Sequence, residues 1–226
     1  MDARPNSALT TLPCRFCGYF GSKSSKNGID SPWLMNERYA ALVSVGALVP
    51  GWSLVCPVEH QLNMGKHYQD PEFWDFTSTV ENAVRQKYGA VCLFEHGARF
   101  DDSPTSCGTG HAHVHLVPLA FSLTVEALRF DQNKHWLSCS VTEIEERSGG
   151  REYLFVSDRF ERDQTSGVLS ILDEGISQFF RRVIASRLGM GEFYDYQRYP
   201  MLEVAEASAE QLRAHVSAVA QRVGSV

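Results

Sequence analysis

Hydrophobic positions in the first half of the chain alternate between strand-like and helix-like spacing. Short apolar stretches predict strands at 33–35, 39–46, 52–58 and 90–94. From Pro71 to Tyr88, large apolar side chains recur every three or four residues, which predicts an amphipathic helix. Strands followed by a helix and then a further strand are typical of an antiparallel sheet with a helix on one face. The pattern therefore predicts an α+β fold.

The second half repeats a strands-then-helices order. Strands are predicted at 135–145 and 152–157, with a polar Glu-Glu-Arg-Ser-Gly-Gly turn between them, and helices at 176–188 and 205–223. We therefore expect one domain over 1–120 and an α+β extension over 121–226.

Composition and charge narrow the class of protein. The 226 residues are 43% hydrophobic and 21% charged, which suits a compact soluble protein. A net charge of −6 argues against a broad surface for a nucleic acid polymer. The chain shows no apolar signal core and no run of about 18 apolar residues, so we expect a cytoplasmic protein with no membrane partner. In that reducing compartment the six cysteines are not expected to form a disulfide framework.

Three alternate histidines mark the most informative segment of the chain. His111, His113 and His115 lie among small and β-branched residues that predict a strand. Side chains at i, i+2 and i+4 of a strand share one face, with neighbouring Cα atoms about 6.6 Å apart. The three imidazoles are therefore expected to form a row that serves one site.

A Cys-x-x-Cys pair and one further histidine could join this row. Cys14 and Cys17 can present two sulfurs to one ion, and His60 follows the predicted strand 52–58. Two thiolates and two imidazoles make a closed, tetrahedral and structural zinc site. One histidine of the run is enough to complete it, so another is left for chemistry.

With these residues assembled, the chain resembles the histidine triad superfamily of nucleotide hydrolases and transferases, over about residues 14–118. The resemblance implies an antiparallel histidine triad-like sheet with helices packed on it. It also implies a structural zinc ion held by a set of four residues: Cys14, Cys17, His60 and His111. His113 falls on the position of the nucleophile, and His115 on that of a group that touches the phosphate.

Substrate contacts are less clearly marked. The hydroxyls of Ser106 and Thr109 precede the histidine run and are candidates to meet phosphoryl oxygens. Glu95 and His96 end a predicted strand where the family brings a ribose- or phosphate-contacting Asn. The chain has Cys-Gly-Thr-Gly at 107–110, where the family's hydrolases have a Gly-Gln-Ser-Val type segment.

The resemblance implies a hydrolase that cleaves at a nucleoside α-phosphate through a nucleotidyl-histidine intermediate on His113. The substrate would be a small nucleotide conjugate such as a dinucleoside polyphosphate or a nucleoside phosphoramidate. Histidine at position 115 favours hydrolysis over transfer, since the uridylyltransferases of the superfamily carry Gln there. The alternatives are a nucleotidyltransferase of the galactose-1-phosphate uridylyltransferase type, with 121–226 as a degenerate second unit, a non-catalytic nucleotide- or RNA-processing binding protein, and a catalytic zinc held by three histidines. Many relatives pair, so a homodimer is also expected.

Overall fold

In the computed structural model, which describes residues 14–21 and 31–223, the strands form one eight-stranded antiparallel sheet. The strands are β1 (Leu34–Met35), β2 (Tyr39–Val43), β3 (Ser53–Pro57), β4 (Val91–Gly97), β5 (Val114–Pro118), β6 (Leu137–Ser140), β7 (Tyr153–Ser157) and β8 (Ser166–Ile171). Their order across the sheet is β1-β2-β3-β5-β4-β7-β8-β6. The predicted α+β class is thus confirmed, and strand β5, which contains His115, lies near the middle of the sheet.

Helices cover both faces of this sheet. They are α1 (Arg15–Gly21), α2 (Pro71–Tyr88), α3 (Leu123–Phe130), α4 (Ile144–Ser148), α5 (Phe179–Arg187) and α6 (Leu202–Val223). Side chains of α2, α4 and α6 belong to one hydrophobic cluster, and those of α1, α3 and α5 belong to another. The expectation of a helix on one face only is corrected here, because the central strands β4 and β5 are buried on both sides. None of the helices in the described part of the chain is long and apolar enough to cross a bilayer.

Helix α2 has the bounds that the sequence predicts, because both of its ends carry local signals. The side chain of Asp70 caps the N-terminus by accepting a hydrogen bond from the backbone N–H of Glu72 at 3.0 Å, and Pro71 follows at the first helical position. Gly89 ends the helix with a φ of 99°, which side chains with a Cβ rarely adopt. Phe73, Trp74 and Val80 pack its apolar face into the core.

The second half departs from the predicted pairing. The stretch 135–145 was expected to be one strand paired with 152–157, but the strand runs only over β6 and pairs with β8. The expected polar turn forms the short helix α4, which ends at Gly149 with a φ of 57°. Strand β8 and helix α3 were not predicted. The apolar run 176–188 becomes helical only from Phe179.

The strands of 121–226 extend the sheet of the first half. β7 pairs antiparallel with β4, from Leu93 opposite Ser157 to Gly97 opposite Tyr153. β8 and β6 continue outward from β7. The boundary near residue 120 therefore does not separate two sheets, and residues 1–13, 22–30 and 224–226 of the two predicted units lie outside the described residues.

A buried carboxylate joins the strands on the sheet face that packs against α2. Glu95 of β4 is fully buried and accepts hydrogen bonds from the hydroxyls of Tyr68 and Tyr153, at 2.7 and 2.8 Å, and from the backbone N–H of Met64 at 2.7 Å. Burial raises the pKa of Glu95 from 4.5 to about 7, and the three donors only partly oppose this effect.

We expect Glu95→Gln to stabilise the protein relative to wild type as the pH rises. Because the pKa of Glu95 is raised in the folded state, its stabilising contribution is complete below pH 4.5 and is lost as the pH rises through about 7. The neutral amide avoids that loss, so the difference in the free energy of unfolding should change by about 3 kcal/mol across this range. Urea unfolding of both proteins at several pH values measures it.

Glu146→Gln, at an exposed position of α4, is the matched control. An exposed carboxylate keeps its hydration on folding, so this variant should give no comparable change with pH. If the free energies of unfolding of wild type and Glu95→Gln changed in parallel with pH, the raised pKa assigned to Glu95 would be wrong.

Candidate metal centre and histidine pocket

Four side chains from three separate parts of the chain meet at one end of the neighbouring strands β3 and β5. Cys14 directly precedes α1 and Cys17 lies within it, His60 follows β3, and His111 precedes β5. One ligand atom from each of the four residues lies within 4.8 Å of the others. The structure thus brings together all four residues that the resemblance implied.

The spacing of these atoms fits a tetrahedral zinc ion. Zinc binds thiolate at about 2.3 Å and imidazole nitrogen at about 2.0–2.1 Å, which separates S and N ligands by about 3.6 Å at a tetrahedral angle. Nδ1 of His111 lies 3.3 Å from Sγ of Cys14 and 3.6 Å from Sγ of Cys17. Nδ1 of His60 lies 3.4 Å from Sγ of Cys17. The donor set of two thiols and two imidazoles is the one that structural zinc sites use.

The opposite nitrogen of each imidazole already has an acceptor. Nε2 of His111 donates to the carbonyl of Pro57 at 2.8 Å, and Nε2 of His60 donates to the carboxylate of Asp101 at 3.1 Å. These bonds place the proton on Nε2 and direct the lone pair of Nδ1 toward the cysteines, as the outer partners of metal-binding histidines do. Burial and the neighbouring Cys14 raise the pKa of Cys17 to about 11, so a bound cation would have to displace the thiol proton.

His113 is held as a nucleophile would be. Its Nδ1 donates to the backbone carbonyl of His111 at 2.8 Å, which leaves the lone pair on Nε2. Burial lowers the pKa of His113, so the imidazole is neutral near pH 7. A neutral ring with a free Nε2 lone pair can attack an electrophile.

His115 has the opposite tautomer. The indole N–H of Trp52 donates to Nδ1 of His115 at 2.9 Å, and because an indole nitrogen only donates, Nδ1 must accept and the proton lies on Nε2. The ring lies 4.7 Å from that of His113 and stacks on Phe94 at 4.2 Å. Burial, followed by His113, lowers the pKa of His115 well below its ordinary value, so this ring is a neutral hydrogen-bond donor.

His96 lies beside His115 on the same face of the sheet. Its Nε2 accepts a weak hydrogen bond from the backbone N–H of Phe180 at 3.4 Å, so the proton lies on Nδ1, which is buried without a hydrogen-bond partner. Burial, followed by the neighbouring His113 and Arg181, lowers the pKa of His96 to about 3. The ring is therefore a neutral donor with an unused N–H.

His96, His113 and His115 line a pocket that opens to solvent. Its enclosed part has a volume of about 50 Å³, and the empty space that includes its open mouth has a volume of about 590 Å³. The lining contains residues from both halves of the chain, among them Arg15, Phe16, Tyr19, Leu54, Thr109, Arg181 and Tyr196. Phe16, between the two cysteines, places its ring edge-on at 6.0 Å from that of His113. The metal centre and the pocket therefore share helix α1.

Arg181 and Tyr196 were missed by the sequence analysis. Arg181 lies in an apolar helical pattern, and its pocket position depends on the packing of α5 against the sheet. Tyr196 donates its hydroxyl to the carbonyl of Cys107 at 2.7 Å and so ties the C-terminal half to the loop before the histidines. No local motif marks either residue.

The other residues predicted to contact the substrate do not all reach the pocket. Thr109 lines the pocket, and its hydroxyl donates to the carbonyl of Ser106 at 2.8 Å. Ser106 is buried and donates to the carbonyl of Ser103 at 2.8 Å, so its hydroxyl supports the loop. Glu95 is not brought to the pocket, because adjacent residues of a strand face opposite sides of a sheet and His96 takes the histidine side.

The histidine run itself is only partly a strand. Pairing begins at Val114, so His115 lies in β5 while His111 and His113 lie in the irregular segment before it. The reason is local, because two backbone carbonyls of this region bond to side chains. The carbonyl of His111 accepts a hydrogen bond from the imidazole of His113, and the carbonyl of Pro57 accepts one from the imidazole of His111. Side-chain hydrogen bonds replace the ladder where the metal centre and the pocket meet.

Comparison of the chain with protein-family models and with curated proteins finds no match. What the site can do therefore follows from its own geometry. That geometry provides four side chains that could hold a metal ion, and beside them a neutral imidazole with a free lone pair and neutral hydrogen-bond donors around one pocket.

We expect Asp101→Asn to weaken zinc binding by about tenfold to a hundredfold, because the carboxylate orients His60 and makes its Nδ1 a stronger ligand. Competition between the protein and a chromophoric chelator measures the affinity. Cys17→Ser, which removes a ligand, should lose stoichiometric zinc in the same assay. Asp102→Asn, at the exposed neighbouring position, is the control, and equal affinities for the two aspartate variants would contradict the role of Asp101.

Proposed function

We propose that this protein is a zinc-stabilised nucleotide hydrolase that cleaves at a nucleoside α-phosphate through a covalent intermediate on His113. The observation that carries the proposal is the pair of opposite tautomers. His113 keeps a lone pair on Nε2 because its Nδ1 donates to a carbonyl, whereas His115 keeps a proton on Nε2 because its Nδ1 accepts from Trp52. One ring is thus prepared to attack, and its neighbour is prepared to donate to a phosphoryl oxygen.

In the first step, Nε2 of His113 forms a bond to the α-phosphorus. The bond from phosphorus to the bridging atom of the leaving group breaks, and the leaving group departs with the electron pair and takes up a proton from solvent. The imidazole ring of the intermediate is positively charged, and the carbonyl of His111 stabilises that charge through Nδ1–H. The N–H of His115 offsets the charge that develops on the phosphoryl oxygens.

In the second step, water attacks phosphorus and the P–N bond breaks. The electron pair returns to Nε2 of His113, the hydroxyl stays on phosphorus as nucleoside monophosphate, and the second proton of the water goes to solvent. Dividing one difficult displacement into two easier ones is the advantage of covalent catalysis.

Zinc, when bound, would link α1 to the segment before β5 and would take no part in proton or phosphoryl transfer. The residues present fit that role, since all four ligands are protein groups and leave no ligand position for water. A zinc held by the three histidines of the run is disfavoured, because His115 has no free lone pair: its Nδ1 accepts from Trp52 and its Nε2 carries the proton. In addition, the Nδ1 of His111 faces the two cysteines.

Two features support a nucleotide as substrate. Part of the pocket lining is apolar and aromatic, with Phe16, Tyr19 and Leu54, and such a lining suits a nucleoside base. The resemblance of the Cys-x-x-Cys and histidine motifs to the histidine triad superfamily supports the same class.

We expect wild-type protein to gain one nucleotidyl mass in acid-quenched intact mass spectrometry with a panel of labelled nucleotide conjugates, and His113→Asn to gain none. His215→Asn, at a half-buried histidine of α6 that does not line the pocket, is the control and should form the adduct. Zinc content and thermal stability of the His113 variant should match wild type, because its side chain is not a metal ligand.

The fate of the adduct separates hydrolysis from transfer. A hydrolase releases nucleoside monophosphate into buffer alone, whereas a transferase accumulates adduct until a phosphate acceptor is added. The absence of adduct and product across the whole panel would contradict the proposal.

We expect Trp52→Phe to lower turnover by about tenfold or more, because Nδ1 of His115 loses the donor that keeps its proton on Nε2. Nitrogen NMR of the imidazole should show a mixture of tautomers. Trp74→Phe is the matched control, since it removes an equally buried indole whose N–H donates to the carbonyl of Tyr68 on the opposite face of the sheet. Equal losses of activity in the two variants would mean that packing alone is responsible.

A further inference from the structure

Arg181 is a buried cation at the wall of the pocket. Only 3% of the residue is exposed, and the described residues place no carboxylate in direct ion-pair contact with it, although the carboxylate of Asp195 attracts it from a longer distance. Its Nε donates to the carbonyl of Tyr194 at 2.8 Å, and one terminal nitrogen donates to the carbonyl of Gly46. A guanidinium has five N–H donors, so these bonds leave part of its hydrogen-bonding capacity for another group.

The cation lines the pocket together with His115 and His96. The guanidinium stacks over the ring of Trp52 at 5.0 Å, and the same indole donates to His115. After burial and the neighbouring imidazoles, the charge of Arg181 adds to the lowering of the pKa of both His96 and His115. Arg181 therefore lies close to the two donor rings.

His96 supplies a second unsatisfied donor in the same pocket. The residue is 6% exposed and lines the pocket, and its Nδ1–H has no hydrogen-bond partner. Leaving a buried N–H unpaired is unfavourable, and so is burying a cation that has no anion in direct contact. A bound anion of phosphate size would satisfy both groups.

We propose that Arg181 and His96 form an anion subsite that binds a second phosphate of the substrate, next to the phosphate attacked by His113. The inference rests on the proposed function and names its substrate class, a phosphoric anhydride. When the P–O bond to the bridging oxygen breaks, the electron pair leaves on that oxygen, and Arg181 meets the negative charge of the departing phosphate. A phosphoramidate, whose leaving amine is not anionic, would gain nothing from this subsite.

Calorimetric binding of inorganic pyrophosphate to the zinc-loaded full-length protein tests the subsite without turnover. We expect wild type to bind pyrophosphate more tightly than orthophosphate. Arg181→Met should weaken pyrophosphate binding by about tenfold or more, the usual effect of losing a charge-assisted hydrogen bond. Arg182→Met is the matched control on the same helix, because Arg182 stacks on Tyr194 and does not line the pocket, and its affinity should stay within about twofold of wild type.

Loss of the bonds to Gly46 and Tyr194 could unfold Arg181→Met, so a second measurement uses the wild type. The Nδ1–H resonance of His96 should shift when pyrophosphate is added, because this N–H gains an acceptor. An unchanged resonance at saturating pyrophosphate would overturn the subsite, as would equal pyrophosphate affinities of wild type and folded Arg181→Met.

The outcomes separate this inference from the proposed function. Pyrophosphate binding that depends on Arg181, without any nucleotidyl adduct on His113, would support the subsite and overturn the hydrolase. The reverse outcome is an adduct on His113 together with an unchanged substrate preference in Arg181→Met, measured as the ratio of kcat/KM for an anhydride to that for a phosphoramidate. This outcome would support the hydrolase and overturn the subsite.

Discussion

The structure around the pocket depends on His111, because three of its groups make three separate contacts. Nδ1 faces the two cysteine sulfurs, Nε2 donates to Pro57 of β3, and the backbone carbonyl accepts the N–H of His113. A movement of this one residue would alter the candidate metal centre and the orientation of the His113 ring together. In the proposed reaction the metal centre would act through position, since none of its four ligand atoms is the proposed reacting atom.

Alternation along β4 divides the polar groups between the two faces of the sheet. Phe94 and His96 lie on the face of His115, where all three rings are in contact. Glu95, between them in sequence, points to the other face and joins Tyr68 and Tyr153. Burial acts in opposite directions on these groups: it raises the pKa of the carboxyl to about 7 and lowers the pKa of the imidazoles, so the imidazoles are neutral at pH 7 and the carboxyl becomes neutral below that pH.

The C-terminal half completes the pocket. Its strands extend the sheet from β4, its helix α5 supplies Arg181, and Tyr196 holds the loop that precedes the histidines. The N-terminal helix α1 closes the other side with Phe16, whose ring contacts those of His111 and His113. The histidines are therefore surrounded by segments that lie far apart along the chain.

The sequence by itself determined the α+β class, helix α2 with its Asp70 cap and its end at Gly89, and the four residues of the candidate metal centre. Each of these depends on spacing within a few residues or on a distinctive residue type. Tertiary structure decided the pairing of β6 with β8, the separation of Glu95 from His96, and the tautomers of His113 and His115. It also decided the place of Arg181 beside residues more than a hundred positions away. The physical reason is that the position of a proton, a pKa and the contacts of a buried cation are set by the groups that surround them in the folded protein. Those groups come from other strands and helices.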